Sequence, residues 1–288
     1  MEGPPTPDIV SEKPLDMRHL RADIWNALNQ GGLSALSVVQ NKYTEEHPND
    51  REYITALFEL PRFYDTQARL GEIKQKMEEL KQEKMFGAEY QKMKEQKLEC
   101  FRELTEYQFL LTHLIGTHPE DREYLQSFWE SAMDVSRAGA HKSDLLRLRN
   151  GVLSQVATMH ILDSLGMDTH ISHPDIDAFH AIDIEADDGS LWQVKGSPSG
   201  DIEVLATSDI GPTNVRIDRG ENTQHFSAYA FEEMRYFSTK VADYEKITGK
   251  PAEGYLIVLP YKEFDIVTGK PSAFAISEVS NKIKTHVE

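Results

Sequence analysis

The sequence predicts an α/β domain, a mixed sheet flanked by helices, over residues 141–288, behind an all-α region over residues 16–140. Three observations carry this. Leu70, Ile73, Met77 and Leu80 recur at three- and four-residue steps inside the charged stretch 65–116, as on an amphipathic helix. The small polar segment "SRAGAHKSD" (136–144) then marks a boundary. Beyond it, short apolar runs alternate with helical patterns, the texture of helices covering a central sheet.

Residues 1–15, Pro-rich and acidic with no apolar signal core, predict a disordered lead-in. Residues 16–60 hold two or three short helical patterns with Gly31-Gly32 between them. In 65–116, Gly87 is placed to divide the long pattern into a helical hairpin. Its stripe is too short and irregular for a sustained coiled coil. A further helix is expected from Pro119 to Met133, with Glu120, Asp121 and Glu123 at its positive N-terminal end. Past the boundary come a helix over 144–165, a short strand in "MDTHIS", and a hairpin in "DIEADDGSLWQVKG" (183–196). "DIEVLAT" (201–207) is a further candidate strand, "PTNVRIDRGENTQ" a loop, and 224–247 a helix. "GYLIVLP" (254–260) reads as a buried strand, and "SAFAISEVSNKIKTHV" as a strand or a helix. The predicted order is α-β-β-β-(β)-α-β, with no internal repeat.

Composition bounds the function. The chain of 288 residues carries 31 Lys and Arg against 48 Asp and Glu, a net charge of −17. That sign opposes sequence-blind binding of nucleic acid over a broad surface, which depends on Lys and Arg displacing counterions. It leaves room for a local basic groove. No apolar run approaches the ~20 residues that span a bilayer. The single cysteine, Cys100, excludes an intramolecular disulfide and any cysteine-based metal cluster. A cytoplasmic setting is expected; export by a specialised secretion system would leave the same composition.

The hairpin is the chemically informative stretch. A three-residue loop, Asp187-Asp188-Gly189, pairs Ala186 with Ser190 and puts Gly189 where a left-handed residue is required. That register sets Asp183 opposite Gln193 and gathers Asp183, Gln193 and Lys195 into one polar cluster. It also places Ile182, Ile184, Trp192 and Val194 on one buried face. A carboxylate and an amide oxygen are hard ligands suited to Mg²⁺ or Mn²⁺. A neighbouring lysine can orient the attacking water or offset charge building on phosphoryl oxygens. On the preceding helix, Leu148, Val152, Gln155, Met159 and Leu162 share one face, and the polar member Gln155 needs a partner, which the hairpin cluster can supply. An exposed polar hairpin edge and a water-bonded Gln155 at the rim are the plainer readings of the same residues.

Helix, strand, Asp-bearing strand, Gln-x-Lys strand, helix and strand is the order of the PD-(D/E)xK nucleases. Residues 144–260 resemble that superfamily, nearest its branch of Holliday-junction resolvases and restriction enzymes that cut methylated DNA. The resemblance implies a restriction-endonuclease-like αβββαβ core with Asp183 as metal ligand, Gln193 as second ligand and Lys195 as catalytic lysine. Gln155 falls where the family carries a helix Glu, and Gln193 replaces the commoner Glu, so the expected site is poorer in charge. Glu185 would support it, as would Asp175 or Asp177 if the "HPDIDAFH" loop folds inward. Gln224 and Tyr229 are five apart, one too many for the family's Gln and Tyr four apart on a later helix, so that match is set aside as coincidence.

Arg147, Arg149, Arg216 and Arg219 are candidate phosphate contacts, each with a surface charge as the plainer alternative. His173, His180 and His225 lack ligand spacing. The expectation is a Mg²⁺- or Mn²⁺-dependent nuclease acting on DNA ahead of RNA, with a helical region that recruits a protein partner or target. A homodimer would suit a double-strand cutter. The rival from another class is a binding or scaffold protein that keeps the fold without catalysis. A third reading makes the helical half the functional part, with the α/β half as its support.

Overall fold

The computed structural model describes residues 15–138, 141–210 and 226–287. Arg216, Arg219, Gln224 and His225, and the loop expected at 212–224, lie outside them. The predicted lead-in does too, except for its last residue.

Five helices come first: α1 (Met17–Glu46), α2 (Arg51–Gln82), α3 (Ala88–Gly116), α4 (Arg122–Ala138) and α5 (Lys142–Ser164). Asp16 caps α1, its Oδ1 accepting from the backbone N–H groups of Arg18 and His19 at 3.0 and 3.1 Å. The expected break at Gly31-Gly32 is a kink within α1, where Gly32 has φ +60°. Helix α2 continues through Pro61, and the short pattern "DREYITALFELPRFY" and the charged stretch that begins at 65 are one helix as far as Gln82. The lost N–H is outweighed there by packing, since Leu57, Phe58 and Leu60 are fully buried. The hairpin divides at Gly87 as expected, with α3 starting just beyond it. Asp121 receives the Tyr124 N–H at 3.0 Å at the start of α4.

The sheet follows: β1 (Thr169–Ile171), β2 (Ile184–Ala186), β3 (Leu191–Ser197), β4 (Glu203–Ala206) and β5 (Gly254–Pro260). Its order is β1-β2-β3-β5-β4, with β3 and β5 parallel and the other pairs antiparallel. Helix α6 (Pro174–His180) stands between β1 and β2, and α7 (Ala228–Thr248) between β4 and β5. The C-terminal segment, open between strand and helix in sequence, is helix α8 (Ala273–Val287). The chain is thus a mixed α/β protein with a five-stranded mixed sheet. Among the described residues no helix is long and apolar enough to cross a membrane.

The two faces of the sheet are covered differently. Trp192, Val194, Ile257 and Leu259 pack with Leu148, Val152 and Val156 of α5, and that core continues without a break into Leu57, Leu114 and Phe128 of the helical region. Leu191, Leu256 and Val258 pack on the other face against Ala230, Met234, Phe237 and Val241 of α7. The strand alternation between adjacent residues places Trp192 under one helix and Gln193 toward the other.

Candidate active site

The hairpin has the three-residue loop. Ala186 N–H donates to Ser190 O at 3.0 Å, Gly189 N–H to Ala186 O at 2.9 Å, and Gly189 adopts φ +85°. One detail departs from expectation. Ile184 is paired with Trp192, yet the Asp183 N–H also donates to Trp192 O, at 2.9 Å. Two successive residues therefore face one, a bulge that breaks the alternation. Ile184 keeps its place with Trp192 and Val194, whereas Ile182 turns to the α7 face and packs with Leu191. The single buried face expected for all four residues is corrected accordingly.

The bulge aims the Asp183 carboxylate into the protein. Its Oδ2 accepts the Val194 N–H at 2.6 Å and its Oδ1 accepts from Gln155 Nε2 at 2.8 Å. Gln155 Oε1 in turn accepts from the Thr112 hydroxyl on α3 at 3.0 Å. The polar residue in the α5 stripe thus finds its partner at the base of the hairpin cluster.

Asp177 is the second carboxyl of the group. The "HPDIDAFH" segment is a short helix rather than a loop, started by Pro174, capped by His173 Nδ1 accepting from Asp175 N–H at 3.3 Å, and ended by Ala181 at φ +55°. Asp175 faces outward, while Asp177 is half-buried and within reach of the Asp183 charge. Burial first, and then the Asp183 charge, push Asp177 well above the ordinary carboxylate range. Asp183 is also raised by burial, against the opposing pull of Lys195, the Val194 N–H and Gln155. The Asp183 charge thus disfavours ionisation of Asp177.

Lys195 sits between Asp183 and α7, its Nζ 3.2 Å from Glu233 Oε2. Burial opposes its charge, but Asp183 and Glu233 together hold the ammonium above its usual value. It is a fixed cation and not a proton acceptor. Tyr229, one helical turn before Glu233, lies close enough to feel both. Gln193 is buried, and its Oε1 has no hydrogen-bond partner.

Glu185 stands apart from this group. It is paired with Leu191 and faces Tyr244 on α7. Arg147 is exposed and tied to Asp144 at 2.5 Å. Arg149 is half-buried with an unpartnered Nε, and burial lowers its affinity for its proton. His173 is an exposed helix cap and His180 packs edge-on to Tyr244, so neither serves the cluster. Glu233 escaped the sequence reading, and Tyr229 was set aside with Gln224. Their four-residue spacing on one helix face is the signal that could have linked them.

Among the described residues no three His, Cys, Asp or Glu side chains form a cage. The donor set is instead two half-buried carboxyls and one orphaned amide oxygen, all hard oxygen ligands. That fits Mg²⁺ or Mn²⁺, since Mg²⁺ is ordinarily held by one or two carboxylates with waters completing the shell. The chain matches no known protein family, no curated protein and no solved structure.

Proposed function

We propose that the protein is a metal-dependent phosphodiesterase acting on nucleic acid, with its reaction centre at Asp183, Gln193, Lys195 and Asp177. The observation that carries this reading is the buried, unpartnered Oε1 of Gln193 on the strand beside Asp183. A buried acceptor without a partner costs about 1–3 kcal/mol and calls for an explanation. Asp183, Asp177 and Gln193 would together hold a cation that would give this oxygen a partner and offset the charge of the two carboxyls. When bound, Mg²⁺ or Mn²⁺ would supply Lewis-acid polarisation of a phosphoryl oxygen.

The chain's own residues do the rest. Gln155 and the Val194 N–H fix the orientation of Asp183. Lys195, kept protonated by its two carboxylate neighbours, offers positive charge where the phosphoryl oxygens gain negative charge. Glu233 positions that ammonium. Asp177 provides a carboxyl to a site whose Gln155 and Gln193 are neutral.

One observation favours the rival reading. Both oxygens of Asp183 are already hydrogen-bonded within the fold, as a purely structural carboxylate would be. Cleavage of linear, circular, branched and single-stranded DNA and of RNA, with Mg²⁺ and with Mn²⁺, separates the two. Cutting that is lost in Asp183→Ala and Lys195→Ala supports the nuclease. No cutting, together with no Mn²⁺ heat in calorimetry, leaves a scaffold.

A further inference from the structure

A stripe of side chains leads away from the candidate site along α7. Tyr229, Glu233, Tyr236 and Lys240 follow one another at steps of four, three and four, so they share one face of the helix. Both tyrosines are exposed, at 50% and 53%. Glu233 touches Lys195 at the near end. Lys240 lies seven residues beyond Glu233, about 10 Å along the helix. Its Nζ stands 5.6 Å from the Tyr236 ring centre and donates to the carbonyl of Phe179 on α6 at 3.0 Å.

At the far end the helical arm joins the stripe. Helix α6 packs against both α3 and α7, which brings Lys97 of α3 into the neighbourhood of Lys240. Lys97 and Lys74 each place Nζ 5.4 Å from the centre of the same Phe101 ring. Among the described residues none of Lys74, Lys97 and Lys240 forms an ion pair, and the nearby Asp243 carboxylate engages Lys246 at 3.1 Å instead. In a chain of net charge −17 this is a local excess of unneutralised positive charge. Burial, and repulsion from Lys74, Lys81 and Lys240, make the Lys97 ammonium easier to deprotonate, so an arriving anion would relieve it.

The geometry points to a binding track for single-stranded nucleic acid, with its phosphates on Lys74, Lys97 and Lys240 and its bases against Tyr236, Tyr229 and the exposed ring of Phe179. This rests on the phosphodiesterase reading for its direction, since the track begins at Lys195. Exposed rings interleaved with lysines suit a strand whose base faces are open, whereas in a duplex those faces are stacked and hidden. A cavity of about 810 Å³, which Tyr229, Ser197 and Phe226 help to line, continues the surface past the site in the other direction. The helical arm is then part of the substrate-binding surface and not a separate recruitment module.

The test is fluorescence anisotropy with the full chain in EDTA, so that binding is read apart from cutting. The probes are a labelled oligodeoxythymidylate, the matching oligouridylate and a DNA duplex of equal length. Wild type should bind a single strand more tightly than the duplex, and the two single-stranded probes separate DNA from RNA. Lys74→Ala/Lys97→Ala/Lys240→Ala should weaken that binding at least tenfold and flatten its logarithmic salt slope by about two. Tyr236→Ala should cost about fivefold or more. The triple Lys→Arg variant should bind like wild type, and circular dichroism should show all variants folded. Variants within twofold of wild type, a preference for duplex, or no binding at low salt would each overturn the track. Lysine-dependent binding without metal-dependent cleavage would keep the track and sink the phosphodiesterase reading; cleavage indifferent to the lysines would do the reverse.

Discussion

Gln155 Nε2 donates to Asp183 Oδ1 at 2.8 Å, and the same amide accepts from Thr112 at 3.0 Å. One side chain thus links the helical arm, the first helix of the α/β half and the candidate catalytic carboxylate. Gln155→Leu would leave Asp183 Oδ1 short of a donor, whereas the Thr112 hydroxyl keeps the Gln108 carbonyl at 2.9 Å. It should destabilise the fold by about 2 kcal/mol, read as a lower urea midpoint with an unchanged slope. Gln155→Glu would add a third carboxyl to the cluster. Its melting temperature in EDTA should fall below wild type, and Mn²⁺ should raise it by more than it raises wild type; an equal Mn²⁺ shift would count against Asp183 as a ligand.

The paired carboxyls predict how stability responds to pH. Asp177 and Asp183 both titrate above their ordinary value of 3.8 in the folded protein. Above pH 3.8 and up to those raised values, the folded state holds more protons than the unfolded chain. Their contribution is therefore complete below 3.8 and is lost as pH rises through the raised values. Thermal melts in EDTA from about pH 4 to 8 should show this decline, and Asp177→Asn should flatten it. An identical profile in the variant would mean that Asp177 does not titrate above its ordinary value.

Gly196 follows Lys195, and a Cβ there would lie 2.5 Å from Tyr261 Cε1 and 2.6 Å from Ser154 Oγ. The strand can approach α5 this closely only without a side chain. Gly196→Ala should destabilise by about 1–3 kcal/mol through overpacking, measurable by urea unfolding. Ser154→Ala in the same chain should recover part of the loss.

Gly189→Ala meets open space but imposes a side chain at φ +85°. The expected cost is about 1 kcal/mol from the left-handed backbone alone. Gly189→Asn should cost less, because Asn tolerates that region. Matching losses in the two variants would place the effect elsewhere than in the turn.

Much of this was legible where local rules decide. The Asp-Asp-Gly loop dictated the register through Gly189, and the α5 periodicity exposed Gln155 as a polar residue in need of a partner. The buried strand at 254–260 and the division at Gly87 were equally plain. The misses share a tertiary origin. Helix α6 has seven residues, too few for periodicity to register, so Asp177 stood only as a conditional alternative to Glu185. The bulge at Asp183 is a backbone detail that no alternation pattern announces, and it moved Ile182 across the sheet. Glu233 matters because α7 crosses beside β3, a fact of packing and not of sequence spacing. Pro61 sits in mid-helix because burial of its neighbours overrules its own preference.

The continuous core between Leu57, Leu114, Phe128 and the sheet residues Trp192 and Ile257 bears on how such a chain could have arisen. A gene fragment beginning at α5 would encode a sheet with one face stripped of part of its cover and Gln155 parted from Thr112. Exchange between genes at residue 141 would thus yield sticky, short-lived products. The arm and the α/β half are expected to have been inherited together, as one unit of descent.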